Sequence, residues 1–396
     1  MPHVTVKPFN LEALQWKMKD DEILRFFAKG YRSSDIVIGV MHEEEEFLLQ
    51  VKPKGLVTLL KYDKVTRPLK VTLLKEALEK LAKVLKVEIL SSNITISSTK
   101  AKLSSLALKK IEDFETITYP KEKVSVEVGF GSGKHLIYQA LKNPDTLFIG
   151  LEIHTPSAQQ VLKQIALQNI ENIWVVNYDA RLFLEMLPSN LCENIFVHFP
   201  VPWDKKPQRR VISKSFLSES MRVLKEEGYL ELRTDSNNYF WYALETFFST
   251  PKAEVTIRKN EALEVTSKYE SRWLKQEKDI YDVFVKSKER SLEKNNVINF
   301  EFEGVKYLSN IEEKLPKKAL VFENYFIHFE RIYKINITSI LIKCAFGSFD
   351  RPEHKYILLE NNSCRYFSSL PVKTQVNLEA HLMLCKQLSL KDDTDV

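Results

Sequence analysis

Cysteine is scarce: four residues in 396, Cys192, Cys344, Cys364 and Cys385, with no C-x-x-C pair and no zinc-ligand spacing among them. That excludes a metal module built on paired cysteines, and the scatter suits a reducing cytosol. No N-terminal signal pattern is present, and no apolar run is long enough to span a bilayer. A soluble, cytoplasmic protein without a membrane partner is expected. Neither charge dominates: 58 Lys and Arg stand against 53 Asp and Glu, a formal balance of +5. Such a bias is compatible with nucleic acid but does not point to it. A hydrophobic content of 44% permits a sizeable core, and the length leaves room for two or three domains.

Both ends of the chain lack a catalytic constellation. Residues 1–115 read as a small α+β extension, with short strands at 35–41, 46–51, 56–60 and 87–97. Within it, Leu73, Leu74, Ala77, Leu78, Leu81 and Leu85 form one apolar helical stripe over 72–86. The polar stretch 98–119 reads as a linker. Residues 291–396 read as a β-rich extension, with strands at 299–303, 319–335, 337–346 and 355–360 and a closing helix over 374–388.

Between them, residues 116–290 alternate strand and helix signals. Strands are expected at 124–128, 147–151, 172–177, 194–199, 228–233 and 280–285, and helices after Thr155, at 211–225 and at 237–248. The alternation predicts an α/β domain with a parallel, doubly wound sheet, whose ligands bind at the carboxyl ends of the strands. The chain is organised around V-S-V-E-V-G-F-G-S-G at 124–133. A β-branched run ends in Gly129, Gly131 and Gly133, and a helical pattern follows, the layout of a nucleotide-binding βα unit. The dinucleotide fingerprint is G-x-G-x-x-G; here the spacing is G-x-G-x-G, and Glu127 stands inside the strand. An acid at that point favours a cationic, phosphate-free nucleoside over a pyrophosphate, and S-adenosylmethionine is such a ligand.

Four further places combine polarity with a strand end. Glu152 can accept ribose hydroxyls, or simply start a turn. Asp179, in N-Y-D-A, can accept an adenine amino group, or cap the helix beginning near Ala180. The loop F-P-V-P-W-D-K-K-P-Q-R-R at 199–210 carries Trp203, a flat face for a base, and the cations Lys205, Lys206, Arg209 and Arg210, suited to phosphate. Asp235, in R-T-D-S, either caps the next helix or faces a substrate. T-S-K-Y-E at 266–270 says little by itself.

Together these motifs resemble the bacterial tRNA (guanine-N7-)-methyltransferase family, over residues 124–285. E-V-G-F-G-S-G, G-L-E-I-H, the Asp179 motif, the Pro–Trp–Lys–Arg loop, T-D and S-K-Y-E carry the resemblance. It implies a Rossmann-like methyltransferase sheet that binds S-adenosyl-L-methionine through Glu127, Gly129, Gly131, Glu152 and Asp179. It implies substrate contacts from Lys205, Asp235, Ser267, Lys268, Tyr269 and Glu270, joined by Trp203, Arg209 and Arg210 from the loop. The implied partner is tRNA, the implied target its variable-loop guanine, and no metal is called for. The chain departs from the family at Val201, where F-P-D-P-W has a catalytic aspartate. Asp235 and Asp204 are the carboxylates left for that role, and Asp235, at a strand end, is the better placed. The flanking extensions lie outside the resemblance, and one or both are expected to grip the tRNA body. Three other readings compete: a nicotinamide-dependent dehydrogenase, a non-catalytic RNA-binding protein that keeps the fold, and a methyltransferase for another RNA guanine. The glycine spacing and the lack of a His–Asp or Tyr–Lys set disfavour the dehydrogenase.

Overall fold

Val124, Val126 and Val128 alternate along a strand with Ser125 and Glu127, and all five are buried. A strand covered on both faces belongs in the middle of a sheet. The computed structural model describes residues 2–10, 21–68, 70–94, 106–250, 252–262, 264, 278–294, 298–306 and 310–389. The chain divides into two units, Lys100–Val297 and Met1–Thr99 with Ile298–Val396.

In the first of these, eight strands among the described residues form one sheet. They are β1 (Leu108–Lys109), β2 (Lys123–Val128), β3 (Thr146–Leu151), β4 (Ile173–Val176), β5 (Cys192–His198), β6 (Leu224–Thr234), β7 (Ala253–Lys259) and β8 (Tyr281–Ser287). Their order is β7-β8-β6-β5-β2-β3-β4-β1. From β6 to β1 every pairing is parallel, whereas β8 runs antiparallel to both β6 and β7. Helices α1 (Lys134–Lys142), α2 (Thr155–Gln168), α3 (Ala180–Phe183), α4 (Lys214–Val223) and α5 (Asn237–Phe247) connect them. The strand order reverses between β2 and β5, and a doubly wound sheet opens its ligand crevice at that point. The expected alternation is therefore present, with an antiparallel edge that the strand-by-strand pattern did not indicate.

Of the expected linker over 98–119, the described residues 106–119 are structured. Leu108–Lys109 adds an outer strand beside β4, and Ile111–Glu115 makes a 3-10 turn that seats Phe114 edge-on against Phe183 and Trp174. A two-residue strand and a single turn are too short to leave a periodic signal.

The expected division at 1–115, 116–290 and 291–396 also gives way. The outer regions share one sheet, eleven-stranded among the described residues. Phe326–Asn336 pairs antiparallel with Leu24–Gly30, with Tyr333 opposite Gly30 and Lys334 opposite Lys29. Sequence distance concealed the join, because strand pairing depends on edge complementarity and not on proximity along the chain. The helix Val71–Leu85 buries the expected leucine stripe on a face containing Val4, Val6, Leu49, Val51, Leu60 and Tyr62. Gln375–Leu388 covers Ile327, Phe329, Ile342, Phe346, Ile357 and Leu359. Residues 299–303 form no strand; Phe300 and Phe302 are core side chains on an irregular segment. Among the described residues no helix is long and apolar enough to cross a membrane.

Candidate cofactor crevice and its supporting network

Strand β2 hands the chain to α1 through three glycines with positive φ: 69° at Gly129, 54° at Gly131 and 72° at Gly133. The first and last serve different ends. A Cβ on Gly129 would meet nothing within 4 Å, so this position is open to a ligand and its constraint is the left-handed backbone. A Cβ on Gly133 would fall 2.3 Å from Val161 Cγ2, so this position lets α1 close against α2. Gly129 N donates to Leu151 O at 2.7 Å, which ties the turn to the end of β3.

Glu152 completes that tie. Its Oε2 accepts from Gly131 N at 2.9 Å and its Oε1 from His154 N at 2.8 Å. A carboxylate oxygen has two lone pairs, so each retains one for a further donor. Thr155 is not the N-cap of α2: His154 is, and the Thr155 hydroxyl donates to Asn177 Oδ1 at 2.9 Å.

Asp179 is the N-cap of α3, accepting from Arg181 N at 3.0 Å. Arg181 also reaches it through Nε at 3.1 Å and Nη2 at 2.7 Å. Asp235 has no capping duty. Ser236 caps α5, accepting from Tyr239 N at 3.2 Å, while Asp235 Oδ2 accepts from Lys278 Nζ at 3.1 Å.

Glu127 lies below the turn, 3% exposed, and accepts from His135 Nδ1 at 2.8 Å. It begins a row of buried charges across one sheet face that the sequence reading did not register. The His135 and His198 rings lie 4.5 Å apart between centroids, and His198 Nε2 is 3.0 Å from Glu231 Oε1. Arg233 pairs with Asp282 on the next strand at 2.5 Å. Burial would push the Glu231 carboxyl up, but the His198 hydrogen bond and the nearby positive charges outweigh it and hold the group below its ordinary 4.5. Burial raises Asp282 despite Arg233. The signal was legible: in G-Y-L-E-L-R-T-D, charges recur at the two-residue period of a strand between buried leucines.

The loop after β5 leaves through a strained backbone. Phe199 and Trp203 have φ of 48° and 46°, which bulky residues rarely adopt. Trp203, Lys205, Lys206 and Arg209 are exposed, and the Arg209 guanidinium lies 5.1 Å from the Trp203 ring centroid. Arg210 departs from the expectation of a substrate contact. It is 7% exposed, donates through Nε to Pro202 O at 2.7 Å, reaches Asp204 at 3.3 Å and packs over Tyr242. It braces the loop from within. Val201 is 60% exposed. Ser267, Lys268, Tyr269 and Glu270 lie outside the described residues.

At one end of the sheet, then, come together the glycine turn after β2, Glu152 after β3, Asp179 after β4, the Pro–Trp loop after β5 and Asp235 after β6. A cavity of about 670 Å³ is lined by His135 and Glu231 of the buried network together with Lys123, Glu193 and the last turn of α1, and by none of the strand-end residues just named. Among the described residues no three His, Cys, Asp or Glu gather as a metal site.

A family model described as "Putative methyltransferase" matches residues 121–283. A curated "tRNA (guanine-N(7)-)-methyltransferase" of Wolinella succinogenes is 39% identical over 377 residues, covering 92% of this chain and 96% of that protein. One from Campylobacter jejuni is 40% identical, covering 91% of this chain and 92% of that protein. One from Helicobacter pylori is 38% identical and covers 99% of both.

Proposed function

The chain belongs to the tRNA (guanine-N(7)-)-methyltransferase family, and on that premise we propose that it transfers the methyl group of S-adenosyl-L-methionine to N7 of a guanine in tRNA, the variable-loop guanine at position 46. The observation that carries this reading is the convergence of five functional segments at the carboxyl ends of five adjacent parallel strands. A tRNA substrate sets the work in the cytoplasm.

The residues fit the cofactor. S-adenosylmethionine carries a sulfonium, an ammonium and a ribose but no phosphate. The crevice offers the open position at Gly129 and the carboxylates of Glu152 and Asp179, with Glu127 beneath. Glu152 would hold the ribose hydroxyls with its remaining lone pairs, and Asp179 the adenine amino group. Glu127, with one oxygen committed to His135, would set the negative potential under the methionine end and hold the turn in place. When bound, the cofactor supplies a methyl already activated on a sulfonium.

Guanine N7 holds its lone pair in the ring plane, so no proton leaves before attack. With the methyl supplied by the bound cofactor, positive charge would pass to the purine, and this chain's own residues would have to align N7 and stabilise that charge. The chain's task is alignment and electrostatic stabilisation. Asp235, free of capping and at the end of β6, is the carboxylate we assign to that charge in place of the residue missing at Val201. Trp203 would stack on a base, and Lys205 and Arg209 would meet phosphates. Ser267, Lys268, Tyr269 and Glu270 are retained as substrate contacts on the family pattern alone.

Methyl transfer from labelled S-adenosylmethionine to tRNA, followed by nuclease mapping of the modified base, tests this. Label on the variable-loop guanine is expected. Label on another guanine would revise the target, and no transfer would leave a non-catalytic RNA binder.

A further inference from the structure

Between Gln50 and Lys70 the sequence holds six cations, Lys52, Lys54, Lys61, Lys64, Arg67 and Lys70, against one carboxylate, Asp63. The fold gathers most of them on one surface. Glu45–Lys54 and Val57–Tyr62 form an antiparallel hairpin, with Gln50 opposite Lys61, Lys52 opposite Leu59 and Lys54 opposite Val57. Residues directly opposite share a face, and so do residues two apart on a strand. Lys52, Lys54 and Lys61 therefore stand on one face, and Lys64 is exposed just beyond the second strand. The other face, with Leu49, Val51, Leu60 and Tyr62, is buried against Val71–Leu85.

The positive charge on the open face is not neutralised. Among the described residues none of these four lysines forms a salt bridge, whereas Lys7, Lys70, Lys80 and Lys83 in the same unit pair with Glu88, Glu43, Asp21 and Glu79. Asp63 is buried and occupied, accepting from Gln50 and from Tyr356 and from the backbone of Val65. Burial, then Lys52, Lys64 and Lys54, push the Lys61 ammonium below its ordinary value. Mutual repulsion is a standing cost to the fold, and a polyanion relieves it. At the tip, Gly55 turns the chain with φ 57° and Leu56 is 91% exposed, an apolar contact between the cationic arms.

We propose that the Lys52–Lys54–Lys61–Lys64 face of this hairpin binds the sugar–phosphate backbone of the tRNA. The inference rests on tRNA being the substrate. It commits to RNA because the enzyme must hold a substrate far larger than one base, and phosphate contacts supply affinity without reading sequence.

The test is K52Q/K54Q/K61Q/K64Q in the full-length protein, beside K75Q/K80Q/K83Q/K86Q on and just after the helix behind the hairpin, which removes the same charge. Filter binding of a tRNA transcript across a salt series reads affinity without requiring catalysis. Steady-state methylation gives kcat and KM, and cofactor titration and thermal unfolding report on the rest of the protein. The hairpin variant is expected to bind tRNA roughly tenfold or more weakly, with a salt slope shallower by about 3, at about 0.7–0.9 per phosphate lost. KM for tRNA rises, while kcat and cofactor affinity stay as they were and the melting temperature does not fall, since the mutual repulsion is removed. An unchanged affinity and slope, or an equal loss in the helix variant, overturns the inference. Wild-type protein that binds tRNA through this face but transfers no methyl would sink the proposed reaction and leave the hairpin assignment standing. Wild-type protein that does not bind tRNA would sink both.

Discussion

Glu127 Oε2 lies 2.8 Å from His135 Nδ1, so strand β2 and helix α1 are clasped on either side of the glycine turn that joins them. The clasp continues through His198 to Glu231 and links the base of the proposed cofactor crevice to the strands that carry the Pro–Trp loop and Asp235.

His135→Ala strands a buried carboxylate. The unit Lys100–Val297 should lose about 2–3 kcal/mol, read from urea unfolding. A change below about 0.5 kcal/mol would mean that Glu127 has adequate solvent or another donor.

The link between His198 and Glu231 gives a pH dependence of known sign. Glu231 is held below 4.5, so its contribution is complete above that value and is lost as pH falls through the lower folded value. In His198→Ala the hydrogen bond is gone and burial raises the carboxyl. The melting temperature of the variant should then lie below that of the wild type near neutral pH, and the gap should narrow as pH falls and the raised carboxyl is protonated in the folded state. Superimposable profiles between about pH 3 and 7 would disprove the coupling.

The glycines should fail in different ways. Gly133→Ala collides with Val161 and should cost about 2 kcal/mol or more, partly restored by Val161→Ala. Gly129→Ala meets no atom and should cost only about 1 kcal/mol for its backbone, yet weaken S-adenosylmethionine binding at least as much as Gly133→Ala does. Calorimetric titration with denaturant curves separates the two. Equal stability losses with intact binding in Gly129→Ala would contradict the assignment of open space to the cofactor.

Asp235→Asn should lower the single-turnover methylation rate by roughly ten- to a hundredfold, with cofactor affinity nearly intact. Wild-type turnover in that variant would remove Asp235 from the chemistry and direct attention to Asp204.

Two basic residues of one loop should also differ. Arg210→Lys loses the bond to Pro202 O and the packing on Tyr242, and should lower thermal stability along with activity. Lys205→Ala should raise KM for tRNA and leave the melting temperature unchanged. Matching effects on stability would refute the inward role of Arg210.

The sequence by itself determined what depends on local chemistry. Glycine spacing at 129, 131 and 133 dictated the turn, since only glycine takes up three left-handed positions in five residues without strain. Leucine periodicity dictated Val71–Leu85, and alternating strand and helix patterns dictated the parallel core of the sheet. Acids at strand ends could be read as candidates because strands and turns are short-range signals. What depended on long-range pairing was decided only by the tertiary structure. The join of Gly30 to Tyr333 made one unit of two distant segments, because a strand edge binds whichever complementary edge the fold presents. Arg210 turned inward because Pro202 and Tyr242 were there to receive it. Glu127, His135, His198 and Glu231 became neighbours only once three strands and a helix had been placed side by side, and that juxtaposition is what makes their burial affordable.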